Sequence, residues 1–218
     1  MFNRFGKFLF KKRSVTPLPF IVVFPFIFGK APLLFPVEDP FWLLVICSVF
    51  IIYGEAVRMG AVSYIGSISR TRGTATGNLI VDGPYALCRN PLYAGNFFIF
   101  AGFVFTANNI IYIAAALILF FIQYLYIIKF EEEVLREKFG ETYLVYKRSV
   151  PSIFPRPEAV FKLENYRGFN AGRAIKSERW TLIAVLLFIA IPFICYYYSR
   201  VLPSPFDRVL EIITGIFS

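Results

Sequence analysis

The chain contains no histidine, which removes the side chain that most often serves as general base or metal ligand near neutral pH. Cysteine is scarce as well. Cys47, Cys88 and Cys195 lie far apart with no C-x-x-C spacing, so the sequence carries neither a disulfide framework nor a zinc site. Acidic residues are the minority, 14 against 23 Lys and Arg, for a formal charge of +9. No small-residue cleavage site follows the basic start MFNRFGKFLFKKRSV, which reads as a retained tail rather than a signal peptide.

What fills the 218 residues is hydrocarbon: 57% are hydrophobic and 27 are phenylalanine, with a mean hydropathy of +0.62. A soluble domain holds about 45–50% apolar residues. The excess is gathered into five runs: Leu18 to Val37 (kinked by Pro25 and Pro32), Phe41 to about Val57, Pro91 to about Thr106, Ile110 to Phe130, and Trp180 to Tyr198. Each approaches the roughly 20 residues needed to cross a bilayer, the third being short. The expected fold is all-α and polytopic, with about five transmembrane helices.

Basic residues set the expected orientation. They crowd before the first run, between the second and third, and between the fourth and fifth. The connectors VEDP and TANN have none. The N-terminus and most of the polar mass are therefore expected on the cytoplasmic side. The final FDRVLEIITGIFS is too short to span and is expected to lie in the interface as an amphipathic segment.

The stretch GPYALCRNPLYAG, Gly83 to Gly95, opens the third run. As plain architecture, Gly83-Pro84 marks a turn, Asn90 caps a helix, Pro91 suits its first position and Gly95 permits close packing. As chemistry, a helix mouth offers free backbone N–H groups to an anion. Arg89 can then grip a carboxylate or phosphate bidentately, Tyr93 brings a hydroxyl and a π-face, and Gly95 clears room for a ligand. A second stretch, Lys129 to Arg156, places Glu131, Glu132 and Glu133 where the fourth run ends. The plain reading is a solvated helix with a Glu132–Arg136 pair that stops at Gly140. The alternative is that carboxylates at interface depth are paired or working, opposite Arg89 around a zwitterion.

Together these stretches resemble the integral-membrane methyltransferases typified by isoprenylcysteine carboxyl methyltransferase and the phospholipid N-methyltransferases. The resemblance rests on Gly83-Pro84-Tyr85, on Arg89-Asn90-Pro91-Leu92-Tyr93-Ala94-Gly95, and on Glu131-Glu132-Glu133-Val134-Leu135. Phe139-Gly140, Tyr143, Tyr146 and Val150-Pro151 complete it, and YGEAVRMGAVSYIG around Arg58 is also similar. It implies S-adenosylmethionine as donor. Tyr85, Arg89, Asn90, Tyr93, Gly95, Glu131 and Glu132 would bind it, with Arg89 and Glu132 central to the reaction and no metal. The acceptor would be a lipophilic or prenylated molecule from the bilayer. Asn90 stands where the family has histidine; it can hydrogen-bond but cannot shuttle a proton, which favours an acceptor already ionised, such as a carboxylate.

The match divides the chain into a core, 1–156, and a remainder, 157–218, holding a connector, the fifth span and the terminal segment. Two other readings remain: an NADPH-dependent membrane reductase, which shares part of the R-x-P-x-Y-x-G element, and a non-catalytic protein whose basic loops bind membrane lipid or a partner. No nucleic-acid module is visible.

Overall fold

The computed structural model describes residues 2–12, 18–28, 30, 33–35, 39–65, 79–155 and 169–201. Seven helices organise them: α1 (Phe2–Lys12), α2 (Leu18–Ile27), α3 (Phe41–Ile65), α4 (Pro84–Leu87), α5 (Pro91–Phe105), α6 (Ile110–Ser149) and α7 (Ala171–Val201). The one extended contact among these residues is an isolated bridge between Leu33 and Asn109. The all-helical class is as expected. The loop arginines Arg70 and Arg72 and the terminal FDRVLEIITGIFS lie outside the described residues.

Among the described residues, three helices are long and apolar enough to cross a membrane: α3, α6 and α7. The other two apolar segments form shorter helices. At about 1.5 Å per residue, the 10 residues of α2 and 15 of α5 fall short of a hydrocarbon layer about 30 Å thick. Pro25 lies inside α2, which gives way to a turn after Ile27. After α5 the TANN connector turns the chain and ties down the loop that follows α2. Asn108 donates to the Phe35 carbonyl (2.8 Å) and accepts from its amide (2.9 Å). Asn109 donates to Lys30 O (3.0 Å) while its side chain caps α6 by accepting from Tyr112 N (3.0 Å). Two adjacent amides thus satisfy backbone groups on both sides of the turn.

The outer surfaces of the long helices are apolar: Trp42, Ile46 and Val49 on α3, Ile111, Ile118 and Leu119 on α6, and Trp180, Leu186 and Leu187 on α7 are all exposed. The interior is aromatic. Phe24 meets Phe103 (centroids 4.7 Å apart), Phe103 stacks on Phe188 (4.6 Å), and Phe120 stacks between Phe100 (5.1 Å) and Tyr124 (4.1 Å). This cluster joins α2, α5, α6 and α7.

α3 and α5 touch backbone to backbone. A Cβ on Gly54 would fall 2.7 Å from Gly95 O, one on Gly95 would fall 2.6 Å from Gly54 O, and one on Gly102 would fall 2.8 Å from Cys47 O. Small residues let membrane helices approach this closely. α5 is thereby held against α3 along its length, which fixes the height at which its N-terminal residues sit.

Candidate functional site

Gly83 starts the site. Its φ of +63° suits a residue without Cβ, and a Cβ there would also lie 2.4 Å from the Tyr64 ring. The turn leads into α4, which buries Tyr85, and the chain then reaches Arg89 and Asn90 at the start of α5. Both are buried. About six turns of α6 bring Glu131 and Glu132 to the same place, also buried.

The two motifs bond directly to each other. Arg89 donates from Nε (3.0 Å) and Nη2 (2.8 Å) to Oε1 of Glu132. Its Nη1 donates to the carbonyls of Lys147 (3.0 Å) and Val150. Lys147 Nζ completes the cluster at 2.9 Å from Glu132 Oε2. Tyr93, one turn into α5, donates its hydroxyl to Glu131 Oε2 at 2.6 Å. Glu132 therefore faces two cations, while Glu131 is held by a phenol that bridges the helices.

The segment after α6 folds back across the mouth of α5. At Gly140 the backbone leaves helical geometry (φ 55°, ψ −128°), and a second helical stretch carries the chain to Ser149. This reversal buries Tyr143 and Tyr146 against Leu135, and the Tyr146 hydroxyl donates to the Tyr85 carbonyl (2.7 Å). The amides of Arg89 and Asn90 then donate to Pro151 O (2.8 Å) and Ser152 O (3.0 Å).

Several expectations change with this geometry. The Asn90 side chain does not cap α5; its Nδ2 donates to Ser152 O (3.1 Å) and Oγ (3.3 Å). The strap at 151–152 takes amides that an open helix mouth would have offered to an anion. Glu132 pairs with Arg89 and Lys147 rather than with Arg136, which instead lies 3.8 Å from Glu133. The space beside Gly95 is filled by α3, since a Cβ would lie 2.5 Å from Arg58 Cγ. Gly140 does stop the first helical stretch, as expected, but a second begins directly after it.

A deeper polar group went largely unread in the sequence. Arg58 on α3 donates to Asn96 Oδ1 on α5, to Glu178 Oε2 on α7 (2.5 Å) and to Thr181 Oγ1 (3.2 Å). Asn96 in turn donates to the Tyr124 hydroxyl (2.9 Å), whose ring meets Tyr93 edge-on at 5.2 Å. The available signal was the presence of Glu55, Arg58 and Glu178 within or beside apolar runs, where ionisable side chains are costly.

Residues 42–142 match the model of the phospholipid methyltransferase family. Relatives by sequence include a nickel-cobalt-cadmium resistance protein, NccN, of Alcaligenes xylosoxydans xylosoxydans, 31% identical over 46% of each chain. A cobalt-zinc-cadmium resistance protein, CzcN, of Cupriavidus metallidurans is 32% identical over 44% of this chain and 41% of its own. The protein-S-isoprenylcysteine O-methyltransferase of Mus musculus is 32% identical over 52% of this chain and 42% of its own. The chain thus spans less than half the length of each of these relatives. No solved structure matches it.

Proposed function

We propose, for a chain whose residues 42–142 carry the match to the phospholipid methyltransferase family, that it transfers a methyl group from S-adenosylmethionine to a lipophilic acceptor drawn from the bilayer. The observation that carries this reading is the direct joining of Arg89 and Tyr93 on α5 to Glu132 and Glu131 on α6. Residues 38 and 43 positions apart meet in one buried, hydrogen-bonded cluster. The bulk of the sequence resemblance lies on these same elements.

The donor set suits the methyl donor's polar end, which carries a carboxylate, an ammonium and ribose hydroxyls. A carboxylate accepts several hydrogen bonds, so Glu131, oriented by Tyr93, can take an ammonium or a ribose hydroxyl beside it. Lys147, whose side chain is about half exposed while its partner Glu132 is buried, is the cation able to swing toward a carboxylate. Arg89 holds Glu132 and the 147–150 backbone in place and so acts mainly by positioning. Asn90 and Ser152 keep the strap closed over the site, which excludes water from a reaction that depends on alignment. When bound, S-adenosylmethionine supplies an electrophilic methyl group and a neutral thioether leaving group. The active site faces the cytoplasm in this reading, because the basic residues lie on that side. The acceptor is a carboxylate, as in an isoprenylcysteine, or a lipid head group.

The metals in the names of the resistance proteins enter no part of this reading. The chain has no histidine, and no three Cys, Asp or Glu side chains converge among the described residues.

Calorimetry of S-adenosylmethionine on detergent-purified protein tests the proposal, with NADPH as the competing ligand. The expected result is saturable binding of the methyl donor alone. It should weaken about tenfold in Glu131→Gln, equal to about 1.4 kcal/mol, and less in Tyr93→Phe. A folded wild type that binds NADPH, or neither ligand, overturns it.

A further inference from the structure

α1 carries none of the candidate site residues, yet it is seated firmly on α6 by one face. Gly6 is buried, and a Cβ there would fall 2.9 Å from Phe130 Cβ and 3.0 Å from Tyr126 O. The two helices thus meet where a small residue permits close approach. One turn on, Phe10 is buried too, its ring 5.9 Å from that of Phe130, and Leu9 packs beside it against the aromatic core. Phe130 closes the fourth apolar run and immediately precedes Glu131. α1 is therefore held at the depth where α6 passes from hydrocarbon to head groups.

The outer face has a different chemistry. At about 100° per residue, Lys7, Lys11, Phe8 and Lys12 follow one another across about 140° of helix surface, opposite Gly6 and Phe10. All four are exposed, Phe8 at 57%. The sequence of α1 contains no acidic residue, so no carboxylate one turn away offsets these lysines. Lys129, exposed beside Phe130, adds a cation at the same level. Water solvates the ammonium groups but is a poor medium for the ring set among them. A negatively charged phospholipid surface suits both. Its head groups take the lysines, whose long stems let the charged ends reach them, and an aromatic ring is at home at the boundary just beneath. Position favours this partner over an acidic protein, because the rim of the bilayer already lies at the depth where α1 is seated.

We propose that α1 is an interfacial clamp whose outer face binds anionic phospholipid, with Lys7, Lys11 and Lys12 on the head groups and Phe8 entering below them. The proposal uses no residue of the methyl-transfer reading and does not depend on it. Each lysine near an anionic surface favours contact by about fivefold, so three together prefer anionic to zwitterionic lipid by about a hundredfold. The attraction fades within a Debye length, about 8 Å at physiological ionic strength and shorter in strong salt.

The test places the full-length protein in nanodiscs of phosphatidylcholine, alone or mixed with phosphatidylglycerol, and reads amide hydrogen exchange across residues 6–12. In wild type these amides should exchange at least about tenfold more slowly in the mixed discs, and high salt should erase the difference. Joint replacement Lys7→Gln, Lys11→Gln and Lys12→Gln should abolish it, and Phe8→Ser should reduce it. Joint replacement Arg136→Gln, Lys138→Gln and Arg148→Gln, which removes as much charge from exposed positions on α6, should leave it in place. Exchange across residues 110–130 in the same spectra shows that each variant is folded, and the wild-type comparison needs no variant. Equal exchange in the two lipids leaves the face to a protein or to water and overturns the proposal. A difference that survives the α1 replacements, or that is lost equally with those on α6, overturns it as well.

Discussion

Replacing Arg89 with alanine removes more than a charge. The guanidinium makes two hydrogen bonds to Glu132 Oε1 and one each to the carbonyls of Lys147 and Val150. All three acceptor atoms lose this donor at once, and the segment at 147–152 loses an anchor. Breaking one side of a buried pair costs about 3–5 kcal/mol. Lys147 still neutralises Glu132 from the Oε2 side, so the lower end applies, about 3 kcal/mol. For a chain of this length each kcal/mol lowers the unfolding temperature by about 2–4 °C, giving a drop of about 6–12 °C. Lys147→Ala is the control. It breaks an ion pair with the same carboxylate, but its own side chain is 46% exposed, and exposed pairs are worth about 0–1 kcal/mol. Circular dichroism during heating in detergent reads both. Equal shifts in the two variants, or a shift under about 2 °C for Arg89→Ala, would refute the claim that the guanidinium holds the two motifs together.

Other outcomes follow from the turns and the strap. Gly140→Ala should cost about 1–3 kcal/mol from backbone strain alone, because φ is +55° and no atom lies within 4 Å of the added Cβ. Gly83→Ala should cost more in the same thermal assay, since it adds a clash with Tyr64 at 2.4 Å to a φ of +63°. Tyr146→Phe should cost about 1–3 kcal/mol by removing the hydroxyl that donates to the Tyr85 carbonyl, seen as a lower midpoint in chemical unfolding; no shift would show that the hydroxyl bond contributes nothing.

The helices were legible because runs such as Phe41 to about Val57 and Ile110 to Phe130 are nearly continuous and are punctuated by Asn, Asp and Pro. Helix length was less so. α2 ends at Ile27, two residues past Pro25, through local backbone geometry that hydropathy does not register, whereas α5 keeps the bounds of its short run. The participants of the outer site were readable as chemistry at a helix mouth, yet their partners were not. Glu132 has an arginine four residues on in Arg136, a pairing that local spacing favours, but the fold offers Arg89 in a buried position, where a charge-assisted bond excludes water. Gly95 had two uses on paper, and the close approach of α3 took the space. The inner cluster stayed hidden because Glu178 meets Arg58 across 120 positions, a distance no periodicity spans.

The Arg89–Glu132 bond also sets an order in time. The chain leaves the ribosome N-terminus first, at about 5–20 residues per second. Glu132 is 43 positions behind its partner and Val150 is 61. For roughly 2–9 s after its own synthesis, the guanidinium exists without the carboxylate that neutralises it, and the carbonyls of the strap arrive later still. During that interval the carboxylate and carbonyls that hold Arg89 in its buried place do not yet exist. The entrance of α5 can therefore take its final form only once α6 and the residues after it have emerged, and a ribosome stalled before residue 132 should leave Arg89 accessible to solvent.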